Sequence, residues 1–105
     1  MGKVYSHRFV AANNIPPVAD FTCPAGYVAV LRWVNVYKAS EPSGGLLNIS
    51  IKAVVVMMQI NVQANDGLSQ AYEFRQVFNA GETLEFFAGV GNWSVTASGY
   101  LLSLP

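Results

Sequence analysis

Thirteen residues, Gly26 to Lys38 (GYVAVLRWVNVYK), constrain this chain more than any other stretch. Only Arg32 and Lys38 are charged, and most of the rest are β-branched, aromatic or aliphatic. Counted with the two-residue period of a strand, one face is Val28, Val30, Arg32, Val34 and Val36. The other is Tyr27, Ala29, Leu31, Trp33, Asn35 and Tyr37. An antiparallel strand with one wet face alternates apolar with polar, and this one does not. It is therefore expected to be covered on both sides, with a second copy of the chain as one candidate cover.

Composition points the same way. The 105 residues are 52% hydrophobic and only 11% charged, where about 25% charged is usual. Formal net charge is zero, close to the condition that promotes association. A chain this size forms a single domain with a high surface-to-volume ratio, here one β-sandwich over residues 1–105, with 1–19 as an N-terminal arm strand and connection. A monomer with a surface rich in Ser, Asn and Gln is the competing reading. No apolar run reaches the roughly 18 residues of a membrane-spanning helix, so no membrane partner is expected. Six basic and six acidic side chains make no electrostatic footprint for nucleic acid. One cysteine, Cys23, allows no intrachain disulfide. The opening MGKVYSHRFV lacks the apolar segment of a secretory signal, so the triplets Asn48-Ile49-Ser50 and Asn92-Trp93-Ser94 are read as chance glycosylation matches.

Strand patterns fill the chain. Lys3 to Ala11 alternates as a first strand, and Ala12 to Ala19, with Pro16-Pro17, is a connection. Pro24-Ala25-Gly26 turns into the central strand, and Ser40 to Gly45 (SEPSGG) is a loop. Leu47, Ile49 and Ile51 face one way, whereas Ile60 and Val62 carry the opposite parity. That flip requires a bend or two strands with a tight join. Asn65-Asp66-Gly67 and Asn79-Ala80-Gly81 are turn signals. Tyr72, Phe74 and Phe78 share a face, as do Leu84 and Phe86. Gly89-Val90-Gly91-Asn92 has the length of a hairpin loop. Trp93, Val95 and Ala97 alternate until Gly99, after which the apolar set moves to Tyr100, Leu102 and Leu104, so a bulge is expected at Gly99. No segment sustains a helical period. The fold class is all-β: an antiparallel two-sheet sandwich, jelly-roll-like, of seven or eight strands.

Chemistry is sparse. One His and one Cys give no metal set, and His7, alternating with Tyr5 and Phe9, reads as a partly buried or surface histidine. Cys23, beside a turn among apolar neighbours, reads as a small hydrophobe. Glu73 and Glu85 are possible cross-strand neighbours near Arg75, read as an ion-paired rim rather than a hydrolytic pair. No catalytic residue, cofactor or metal is expected. The remaining candidates are aromatic and aliphatic: Tyr27, Leu31, Trp33, Tyr37, Phe87 and Trp93 are the expected interface residues.

The turn and strand motifs Pro24-Ala25-Gly26, Gly81-Glu82-Thr83-Leu84 and Ser98-Gly99-Tyr100, spread over FTCPAGYVAVLRWVNVY and AGETLEFFAGVGNWSVTASGYLL, resemble those of small β-sandwich virion proteins of tailed bacteriophages. The resemblance implies a non-enzymatic structural role. It implies a capsid decoration protein or a head–tail component, trimeric, docked on a major capsid protein or another virion protein, and made in the host cytoplasm. No functional residues carry over, because the motifs mark turns and strands. The alternative is a carbohydrate-binding module or lectin that stacks sugars on exposed Trp and Tyr.

Overall fold

The computed structural model describes residues 2–15 and 18–105. Eight strands follow in order: β1 (Val4–Ile15), β2 (Val18–Thr22), β3 (Tyr27–Lys38), β4 (Gly45–Ile51), β5 (Val55–Val62), β6 (Leu68–Asn79), β7 (Thr83–Ala88) and β8 (Trp93–Ser103). They form two four-stranded sheets, β1-β8-β3-β6 and β2-β7-β4-β5. All pairings are antiparallel. Every connection except β4–β5 passes from one sheet to the other, so the architecture is a jelly roll, two Greek keys wrapped into a sandwich. Pro16-Pro17 lies outside the described residues.

Local chemistry explains the corners. Tyr27 N–H donates to Pro24 C=O at 3.3 Å, and Gly26 sits at φ 85°. Pro24 thus begins the turn, and Gly26 takes the position that disfavours a side chain. β4 and β5 are two strands joined at Lys52-Ala53-Val54, where Val54 N–H donates to Ile51 C=O at 2.9 Å and Ala53 adopts φ 62°. The next corner turns two residues earlier than Asp66-Gly67 suggests: Asp66 N–H donates to Gln63 C=O at 3.1 Å, with Asn65 at φ 68°. Residues 89–92 connect β7 in one sheet to β8 in the other, so they form a crossover and not a hairpin loop.

The core lies between the sheets. Leu31, Val34, Val36, Phe78, Val95 and Ala97 from one sheet meet Leu47, Ile49, Ile51, Leu84 and Phe86 from the other. A ring cluster fills one end, Phe9 with Phe21 at 4.9 Å and with Phe78 at 5.5 Å between centroids. His7 packs on the same cluster, 5.3 Å from Phe21. At the other end Trp93 is buried beside its cross-strand partner Lys38, the one buried charged side chain among the described residues.

Bulges decide which side chains face out. β3 shifts register between Leu31 and Trp33 against both β8 and β6, and β1 shifts between Arg8 and Val10. The inward set of β3 is therefore Ala29 and Leu31 before Arg32, then Val34, Val36 and Lys38 after it. Trp33, Asn35 and Tyr37 turn outward, away from Ala29 and Leu31, with which strict alternation groups them. β8 itself keeps one parity: Leu101, not Tyr100, continues the buried set of Trp93, Val95 and Ala97. Gly99 lies where the strands come closest: a Cβ there would collide with Val30 O and stand 3.0 Å from Arg32 N. The bulge sits on the neighbouring strands, and the glycine permits their approach.

Candidate functional site

The feature that stands out is the outer face of β1-β8-β3-β6. Register places Val4, Leu102, Val28 and Asn79 in one row across the sheet, and Ser6, Tyr100, Val30 and Val77 in the next. Val4, Val77 and Tyr100 are exposed, and Val28, Val30 and Leu102 are half-buried. Six apolar side chains in two adjacent rows form a continuous patch where a solvated face would alternate polar groups.

The bulges add a third row. Arg8, Ser98, Trp33 and Glu73 are partners there, and Arg32 lies along the surface, its Nε–H donating to Phe74 C=O at 3.1 Å. Arg32 Nη2 is 3.5 Å from Glu73 Oε1, both half in water, a pairing that contributes at most about 1 kcal/mol. Beside Arg32 is a shallow hollow of about 370 Å³, bordered by Arg8, Arg32, Trp33 and Tyr100. Beyond it the face turns neutral and small, with Asn35, Ala71, Thr96, Ser69 and Ser94 around Tyr37.

The expected interface residues do not share one surface. Trp33 (47% exposed) and Tyr37 (54%) lie on this outer face, and Phe87 lies on the outer face of the other sheet. Tyr27 is half-buried, 6.5 Å from the Tyr5 ring. Leu31 and Trp93 are core residues with no exposure. Trp93 reads as a surface aromatic beside a loop, yet its Nε1–H donates to Val90 C=O at 3.0 Å, which lets the indole be buried with its polar atom satisfied.

The acidic side chains that spacing suggested as a pair are not brought together. No group of three or more His, Cys, Asp or Glu suited to a metal occurs among the described residues. Glu73 on β6 and Glu85 on β7 belong to different sheets and are not neighbours. Glu85 instead faces Asp20 directly across β2–β7, a like-charge pair that spacing did not reveal. The Cys23 thiol is buried. Burial raises its pKa, the Ala29 backbone N–H lowers it, and Glu82 raises it further, with a net upward shift. Burial thus disfavours the thiolate.

The chain has no match among family models, and no curated protein matches it. Among solved structures, the Drosophila NLP-core is similar, with a TM-score of 0.53 at 15% identity, covering 93% of this chain and 96% of that one. The infectious bursal disease virus Gx strain structure matches at a TM-score of 0.45 and 13% identity over 99% of this chain. The chain spans 33% of that viral chain. At these identities the likeness to the NLP-core speaks for the fold alone. What the fold bears out of the motif resemblance is the small all-β sandwich.

Proposed function

We propose that this chain is a structural protein of a virion that assembles with copies of itself and docks on the particle surface, as a capsid decoration protein does. The observation that carries the reading is the two-row apolar patch on the outer face of β1-β8-β3-β6, led by Val4, Tyr100 and Val77. Obligate interfaces are more hydrophobic than ordinary surface and resemble a core cut in half. With 11% charged residues, few charges oppose burial of the faces. The fold is compatible with closed assembly: the Drosophila NLP-core, of the same architecture, is described by its pentamer formation. A trimer bound to a major capsid protein is the finer form of the proposal.

Immunogold labelling of particles from the native source tests it. Label on intact particles is the expected result; its confinement to unassembled material would overturn the virion role. The carbohydrate-binding alternative retains Trp33 and Tyr100 beside Arg8 and Arg32 in its favour. A glycan array separates the two readings, since a purely structural protein shows no sugar preference.

A further inference from the structure

We infer that copies of this chain stack face to face, the Asp20 and Glu85 carboxylates of one copy set against Arg8 and Arg32 of the next. This rests on the self-assembly reading above and names its junction.

The two sheets carry opposite charge. All three arginines of the chain, Arg8, Arg32 and Arg75, are on strands of β1-β8-β3-β6. Glu73 is the one acidic residue on those strands, and Lys38 is buried and paired with Glu41. Arg75 follows Glu73 by two residues along β6 and is exposed, so it shares the outer face. Three arginines against one glutamate leave that face two positive charges. The strands of β2-β7-β4-β5 carry Asp20 and Glu85 and no cation, which leaves two negative charges there. A chain with no formal net charge is thus polarised across its thickness.

Neither set is neutralised within the chain. Asp20 and Glu85 are direct partners across β2–β7, an arrangement that costs the isolated fold stability. Lys52, in the β4–β5 joint, borders the hollow beside Glu85 but makes no ion pair with it. Arg8 is exposed and has no carboxylate partner among the described residues. Arg32 uses Nε on Phe74 C=O and Nη2 on Glu73, which leaves donors free on a group that has five N–H bonds. Arg8 and Arg32 border one hollow, so a carboxylate entering it meets two guanidinium groups. Guanidinium and carboxylate pair in a strong, oriented fork.

The apolar surroundings match as well. Beside the arginines runs the row of Tyr100, Val30 and Val77. Beside Asp20 and Glu85 runs the row of Val18 and Phe87, both exposed. Stacking one face on the other covers apolar with apolar while each charge meets its opposite, which fixes the register. A two-fold contact centred on either charged row would instead set like charges together. The contact is therefore heterologous, and repetition gives a ring if the rotation closes and a filament if it does not.

Charge reversal in the full chain tests the junction, read by sedimentation velocity at micromolar concentration in low salt. Wild type is expected to sediment as an oligomer, and Arg8→Glu and Glu85→Lys each as a monomer. A double variant carrying both reversals restores opposite charges across the contact and is expected to reassemble. The two positions lie on different sheets, so no contact within one chain explains that rescue. Arg8→Gln, milder at the same exposed position, is expected to weaken assembly in the same direction, and circular dichroism checks that each variant folds. Single variants that assemble as wild type does, or a double variant that stays monomeric, would overturn the junction while leaving self-assembly standing. A monomeric wild type would overturn both.

Discussion

Lys38 Nζ lies 3.0 Å from Glu41 Oε1, with the lysine side chain wholly buried and the carboxylate partly open to water. The ammonium also donates to Ala39 C=O at 3.3 Å and to Ser43 C=O at 3.4 Å. Glu41 accepts from the Asn92 backbone N–H at 2.9 Å. Through these bonds the β3–β4 loop is tied to the β7–β8 loop.

That arrangement predicts an acid-sensitive stability. The Asn92 N–H, then the bond from Lys38, hold the Glu41 carboxyl below its ordinary pKa of 4.5. A carboxyl lowered in the folded state adds stability that is complete above its unfolded value and disappears as pH falls through the folded one. Glu41→Gln should therefore unfold at a lower temperature than wild type at pH 7, and the gap should close as the pH is taken down through the carboxylate range. Thermal melts across pH check it; a gap that is constant with pH contradicts it.

Gly99→Ala should lower the free energy of unfolding by about 1–3 kcal/mol, the usual cost of forcing atoms into a packed site. Its Cβ meets the Val30 carbonyl and Arg32 N, which are backbone and cannot swing away. Urea unfolding measures this. By contrast, Gly89→Ala, with open space around its Cβ, should be within about 0.5 kcal/mol of wild type.

Asp20 and Glu85, directly opposite on β2 and β7, repel. Glu85→Lys turns the pair attractive and should stabilise the monomeric fold by about 0.2–1 kcal/mol. The gain should shrink in high salt. An unchanged midpoint at low salt would show that the two side chains do not interact.

Two indoles report on two environments. Trp93 has no exposure and Trp33 is 47% exposed. Trp33→Phe should leave emission that acrylamide barely quenches in the native protein, whereas Trp93→Phe should leave readily quenched emission if the chain is held monomeric by dilution. Assembly that covers the outer face should then protect Trp33 as concentration rises.

Much of the fold could be read from local pattern. Strand alternation in Leu47, Ile49 and Ile51, the parity change before Ile60 and Val62, and the Pro24-Ala25-Gly26 turn each encode their structure within a few residues. What could not be read depends on neighbours far along the chain. The outward turn of Trp33 and Tyr37 follows from a bulge at Arg32, and β3 is apolar on both faces, so its sequence carries no mark of the slip. Gly99 signalled the bulge, but on the strand that permits it and not on those that bend. Lys38 is one of only two charges in its stretch, and its burial is explained by the loop that carries Ala39, Glu41 and Ser43. Trp93 beside a glycine-rich loop looked like surface until Val90 supplied its acceptor. The like-charge pair Asp20 and Glu85 is separated by most of the chain.

Sedimentation equilibrium of wild type beside Val77→Asp measures the central claim most directly. Val77 is 51% exposed in the apolar row with Tyr100 and Val30, so aspartate there should spare the fold and spoil only a covered face. The account predicts a multiple of the chain mass for wild type at micromolar concentration and a shift toward the single-chain mass for the variant. A wild type of single-chain mass, with that face open to water, would contradict it.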